Sequence, residues 1–314
     1  MTKLAIVQKA PVFLDKEKTI ASAVTIVNEA ATAGAELVIF TEAFIPGYPA
    51  WIWRLTPGGD FGLSAEIHSR LLINAVSLDS DDLQPLYAAA KQHQVTIVCG
   101  IHERDSQLSR TTLYNTVVII GPDGTLLNRH RKLMPTNPER MVWGFGDATG
   151  LKVVDTPAGR IGTLICWENY MPLARYALYA QAVEIYIAPT YDSGEGWLGS
   201  LQHIAREGCC WVVGSGNCFR AEDIPADFPE KSRLYPDNDE WVNPGDSVVI
   251  APGGEIVVGP LTKEQGILYC DIDCIRAADS KRAFDVVGHY SRPDIFTLQV
   301  NTTAQTPVIF NGDN

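Results

Sequence analysis

"GRIGTLICWENYMPLARYALYAQ", residues 159–181, is the stretch on which the fold turns. Residues 159–165 form a short apolar run with the length and branching of a buried strand. Residues 172–182 repeat their apolar side chains at helical spacing, and Pro172 suits the first turn of a helix. The strand therefore hands over to the helix across Cys166, Trp167, Glu168 and Asn169. A buried cysteine ending a strand is most often inert core. At this boundary, though, a thiol would meet unpaired backbone N–H groups and the positive end of a helix dipole, which lower its pKa. That setting makes Cys166 the candidate nucleophile. Its base stays open from the residues alone: His130, His203, His289 and several carboxylates are all available.

The same alternation of element types runs outward in both directions. Runs rich in Val and Ile at residues 3–8, 36–40, 95–101, 113–120, 159–165, 183–188, 211–215, 246–250 and 267–272 predict strands. Helical spacing appears at 16–33, 82–93, 172–182 and 199–209, the first stopped by Gly34. GPDG (121–124) and APGG (251–254) sit between adjacent strand runs as hairpin turns. Hairpins mixed with helical crossovers predict an α/β fold of mixed sheets with helices on the outer faces. Residues 221–245, rich in proline and charge, read as a long surface excursion. No linker divides the chain. The expectation is one domain over 1–314, with a core of about 3–275 and a C-terminal extension at 276–314.

Composition narrows the partners. A net charge of −12 argues against nucleic acid and anionic membranes. No run approaches the ~18 apolar residues of a membrane span, and the amino terminus lacks the pattern of a signal peptide. Seven cysteines without a signal fit a reducing cytoplasm better than a disulfide framework. There is no CxxC pair, and Cys270 and Cys274 have no further ligand at suitable spacing, so no metal is expected.

Two further stretches carry chemistry. VIFTEAFIPGYP (38–49) puts Glu42 at the mouth of a strand, where a carboxylate is costly unless exposed or used. RHRKLMPTNPERMVWGFGD (129–147) sets Lys132 and Glu139 beside a proline-broken loop. With CWENYMP, these motifs resemble the nitrilase superfamily, the carbon–nitrogen hydrolases, in the right order and over residues 3–296. CWEN with MPLARYALYAQ, IYIAPTYD (185–192) and DVVGHYSRPDIF (285–296) look like the true nitrilase branch.

The resemblance implies an α-β-β-α sandwich with two mixed central sheets. It implies a catalytic set of Glu42 as base, Lys132 as cation and Cys166 as nucleophile, with Glu139 orienting Lys132. The implied reaction turns an organic nitrile into a carboxylic acid and ammonia through a cysteine thioimidate and thioester, with no metal or organic cofactor. Tyr48, Trp51, Trp53, Trp167, Tyr191, Trp197 and His289 are candidates for the substrate pocket. An amidase of the same superfamily is the neighbouring alternative. A dinucleotide-binding module is a distant one, suggested by GEGWLG (194–199) with Glu222 further on. The family also implies a homodimer or larger homo-oligomer, paired through the helix after Cys166, where Leu173, Tyr176, Ala177 and Ala180 make one face. Residues 54–72 and 221–242 look like surfaces that extend such dimers.

Overall fold

Alternation builds the centre of the molecule. In β1 (Thr2–Gln8), Leu4 and Ile6 alternate with Ala5 and Val7, and all four are fully buried. Side chains of a strand alternate between its faces, so a strand apolar on both needs a packed layer on each side. The computed structural model, which describes residues 1–308, supplies both layers.

The first sheet contains β1, β2 (Leu37–Ile39), β3 (Thr96–Arg104), β4 (Leu113–Ile120), β5 (Leu126–Arg131) and the last strand among the described residues, β13 (Gly266–Ile272). Its order is β13-β1-β2-β3-β4-β5, parallel through β1, β2 and β3 and antiparallel elsewhere. The second contains β6 (Val154–Thr156), β7 (Gly159–Thr163), β8 (Ile185–Thr190), β9 (Trp211–Gly216), β10 (Cys218–Arg220), β11 (Trp241–Ile250) and β12 (Ile256–Thr262). It runs β10-β11-β9-β8-β7-β6, with β12 paired to β11 and a parallel centre of β7, β8 and β9.

Between the sheets, Leu4, Ile6, Ile39, Val98 and Val117 pack on Ile161, Ile185, Ile187, Val213 and Val249. On the far side of the first sheet lie α1 (Lys16–Thr32) and α3 (Gln84–His93), which bury Ile20, Val27, Leu86 and Ala90. On the far side of the second lie α4 (Pro172–Tyr179) and α5 (Glu195–Gly208), which bury Ala174, Leu178, Leu201 and Ile204. The result is an α-β-β-α sandwich with two mixed sheets.

Some elements differ from the sequence expectation. The stretch at 54–72 contributes most of a helix, α2 (Phe61–Asn74), whose Ile67 and Leu71 are buried. Residues 221–245 are not simply surface: around α6 (Lys231–Leu234), the side chains of Ile224, Phe228, Leu234 and Tyr235 pack on Trp51, Ile52 and Leu55. Gly196 and Gly199 lie inside α5, which opens at Glu195 just after Gly194. They are helix residues and form no phosphate-cradling loop, which removes the basis for a dinucleotide site. A short helix, α7 (Ile275–Lys281), follows β13. Residues 309–314 of the expected C-terminal extension lie outside the described residues. Among the described residues no helix is long and apolar enough to cross a membrane.

Candidate active site

Three strand ends deliver the three motifs. Glu42 follows β2, Lys132 follows β5, and Cys166 follows β7 on the opposing sheet. Gly100 makes the first delivery possible. A Cβ there would collide with the Thr41 carbonyl and the Ala43 amide, so only glycine lets the Glu42 loop lie against β3. Lys132 is held by its own N–H, which donates to the Asn115 carbonyl at 2.7 Å.

The side chains meet in a buried charged chain. Lys132 Nζ donates to Glu42 Oε1 at 2.8 Å and to Glu139 Oε2 at 2.7 Å, with all three side chains essentially inaccessible. Asn115 Nδ2 also donates to Glu42 Oε1, at 2.7 Å. Glu42 Oε2 has no hydrogen-bond partner. Glu139 caps its own turn by accepting from Thr136 N–H at 2.7 Å, and it accepts from the Tyr48 hydroxyl at 2.7 Å. The indole N–H of Trp53 donates in turn to Tyr48 Oη at 3.1 Å. Burial of a lone charge is prohibitive, so the cation and its carboxylates are mutually required.

Cys166 is buried, with a φ of +52° at the head of a single 3₁₀ turn, Cys166–Tyr170. That left-handed backbone is rare for a residue with a Cβ and turns the chain sharply from strand to helix. Here the expected acidification of the thiol is overturned. Burial pushes the Cys166 thiol up to about 12, Glu42 adds to the rise, and Lys132 offsets only part of it. The longer helix, α4, starts only at Pro172, so its positive end does not lie at the sulfur. Glu42 is also displaced: burial, aided by Glu139, pushes it up to about 7 against the pull of Lys132 and Asn115. Lys132 is raised as well. Burial alone would lower it, but Glu42, Cys166 and Glu139 hold it far into the charged range. A neutral thiol that feels the charge of a carboxylate poised near neutrality suits general-base activation.

The histidines left open above are placed elsewhere. His130 is buried on Glu168, His203 is exposed and pairs with Glu207, and His289 is exposed in the segment after α7. Glu42, buried beneath the cavity and close enough for its charge to raise the Cys166 thiol, is the base candidate that remains.

A cavity of about 260 Å³ opens over this cluster. Cys166 and Glu139 lie at its lining together with Tyr48, Trp53, Trp167 and Tyr191. Tyr48 and Tyr191 stack with ring centroids 3.8 Å apart, and Trp167 Nε1 donates to Asp192 at 2.8 Å. Thr136, Ser193 and Asn243 add polar edges. A larger open concavity over α5, about 580 Å³, is lined by Gln202, His203 and Arg206 and holds none of the catalytic candidates. Of the expected pocket residues, Trp51, Trp197 and His289 are not brought to the cavity. Trp51 packs on Phe228, and Trp197 is on the buried face of α5 beneath the second sheet. His289 stands edge-on to Tyr290, exposed.

Sequence reasoning missed the supports. Asn115 steadies Glu42 from the middle of β4, where one asparagine in LYNTVVII was the available signal. Asn217 donates to the Glu42 and Thr190 carbonyls, both at 3.1 Å, and ties the base loop to the end of β8. Nothing in its local sequence marks it. Among the described residues, no group of three or more His, Cys, Asp or Glu is placed to hold a metal ion.

The carbon-nitrogen hydrolase family model matches residues 3–282. The chain belongs to that family. Nitrilase 2 of Arabidopsis thaliana is 39% identical, with 99% of this chain and 91% of that protein covered. A bifunctional nitrilase/nitrile hydratase of Lupinus angustifolius is also 39% identical, covering 98% of this chain and 88% of the relative. The protein is thus a hydrolase of carbon–nitrogen bonds on the nitrilase branch. The fold is shared with a carbon-nitrogen hydrolase from Helicobacter pylori (TM-score 0.70, 20% identity, covering 94% of this chain and 96% of that one). It is shared too with Nit3 of Saccharomyces cerevisiae (TM-score 0.72, 19% identity, covering 92% and 96%).

Proposed function

We propose that the chain hydrolyses a small organic nitrile to its carboxylic acid and ammonia, with Cys166 as nucleophile. The observation that carries this is the unpartnered Oε2 of Glu42, in a carboxylate whose other oxygen is fixed by Lys132 and Asn115. That oxygen takes the thiol proton as sulfur attacks the nitrile carbon. Glu42 passes that proton to the nitrogen, and a thioimidate forms with the carboxylate ionised again. Lys132 and the backbone N–H of Trp167 stabilise the negative charge that develops. Water adds to the thioimidate as Glu42 takes one of its protons; the nitrogen receives that proton from Glu42 and the second from the new hydroxyl, leaves as ammonia, and a thioester remains. A second water cleaves the thioester to the acid and returns the thiol. Glu139 keeps Lys132 charged and aimed, and no metal or organic cofactor takes part.

Tyr48, Tyr191, Trp53 and Trp167 form the aromatic wall against which the substrate's organic group packs. Residues 1–314 act as one domain, in keeping with the pairing of β13 on β1. Leu173 is exposed and Tyr176 half-buried on the outer face of α4, which supports pairing of two copies there into a homodimer or larger assembly. Ala177 faces the chain's own core instead. Seven free thiols fit a reducing cytoplasm.

The test is ammonia and acid release from a panel of aliphatic and aromatic nitriles, with the matching amides alongside. Turnover of nitriles supports the reading. Turnover of amides alone would assign the same residues to an amidase.

A further inference from the structure

Glu168 stands two residues after Cys166, is fully buried, and does not line the cavity. Its Oε1 accepts from the backbone N–H of Leu133 at 2.6 Å, and its Oε2 from the N–H of Ile165 at 2.6 Å. Leu133 follows Lys132, and Ile165 precedes Cys166. His130 Nε2 lies 3.1 and 3.0 Å from the two oxygens, and His130 Nδ1 has no partner. One carboxylate thus holds the backbone beside the lysine, carried by the first sheet, to the backbone beside the cysteine, carried by the second.

We propose that Glu168 is a positioning residue for the reaction, and that His130 secures it. Neither touches substrate. Their action is to fix where Lys132 and Cys166 stand relative to each other, and it rests on the assignment of those two residues under Proposed function. The chemistry of the donors requires a carboxylate. Two backbone N–H groups each face a different oxygen, so both oxygens must accept. A glutamine turns an NH₂ toward one of those N–H groups whichever way it is flipped, and one tether is lost. The left-handed Cys166 needs such fixing, because a strained conformation persists only when its surroundings over-determine it. Asn169 completes the other side, donating to the Leu164 and Cys166 carbonyls at 3.0 and 2.7 Å.

The test uses the full chain as Glu168→Gln, His130→Leu, His130→Gln and Cys166→Ala. Alkylatable Cys166 is counted by iodoacetamide and peptide mass spectrometry, and kcat is expressed per countable site, with KM and melting temperature measured beside it. Glu168→Gln should lower kcat per site about 100-fold, the usual cost of a misplacement of about 1 Å, with KM within about threefold. His130→Leu should lose about tenfold, and His130→Gln, whose amide N–H can replace the Nε2 donor, should recover most of that. Wild-type kcat per site with fewer sites or a lower melting temperature would overturn the proposal, since the pair would then serve only the fold. A rise in KM at constant kcat would overturn it too. Should Glu168→Gln not fold, the Leu and Gln variants of His130 decide: equal kcat per site in both contradicts the proposal. Turnover by Cys166→Ala would instead overturn the underlying nucleophile assignment.

Discussion

Lys132 occupies one oxygen of Glu42 and leaves the other without a partner. Under the proposed mechanism that asymmetry divides the labour within a single carboxylate: one oxygen fixes the geometry and the other takes the thiol proton. The division predicts the pH response. As the proposed base, Glu42 must be ionised, so activity should fall as pH drops through its pKa, which burial pushes up to about 7. The pH profile of kcat/KM should therefore bend near 7 and decline about tenfold per unit below it. A bend near the ordinary carboxylate value of 4.5 would show that the base is not in this environment.

Glu139→Gln should move that bend. The Glu139 charge raises Glu42 and also supports the cation on Lys132. Its removal should shift the acid limb to lower pH while kcat falls about 10–100-fold, as expected for loss of a charged hydrogen bond. A lower kcat with an unmoved limb would separate Glu139 from Glu42 electrostatically.

Asn115→Ala removes the second donor to Glu42 Oε1 and leaves the carboxylate free to swing. Loss of a hydrogen bond to a charged group costs about 1.5–3 kcal/mol, so kcat/KM should fall about 10–100-fold. Steady-state kinetics with a good nitrile checks it, and an unchanged kcat/KM would mean that Lys132 alone holds the base.

Much of this was legible in the sequence. The β4 strand at 113–120 agrees to the residue, because a β-branched run ending at GPDG has no helical alternative. β6 and β10, three residues each, carry too little periodicity to be read. α2 escaped because its pattern is blurred: Phe61 and Ile73 are exposed beside the buried Ile67 and Leu71. Cys166 stood out by its place at the strand end, but its environment was misjudged. Dipole arguments see the local turn, whereas burial by distant segments sets the thiol's proton affinity. Asn115, Asn217 and Trp197 show the same limit, since which face of a strand or helix meets the site depends on packing between sheets far apart in sequence.

Gly100→Ala tests the backbone that carries the base. The added methyl meets the Thr41 carbonyl and the Ala43 amide, which cannot move without displacing Glu42. Overpacking of this kind costs about 1–3 kcal/mol, so the melting temperature should fall together with kcat. Wild-type kinetics in this variant would show that the Glu42 loop tolerates a shift and that its position matters less than argued.

Ammonia release per mole of folded Cys166→Ala protein tests the central claim most directly. Alanine suits the buried strand end, so the circular dichroism spectrum and assembly state should match the wild type. The account predicts no release above the uncatalysed background with any nitrile that the wild type turns over. Near-normal release from the folded variant would contradict it, and the thiol at the strand-to-helix turn would be core and nothing more.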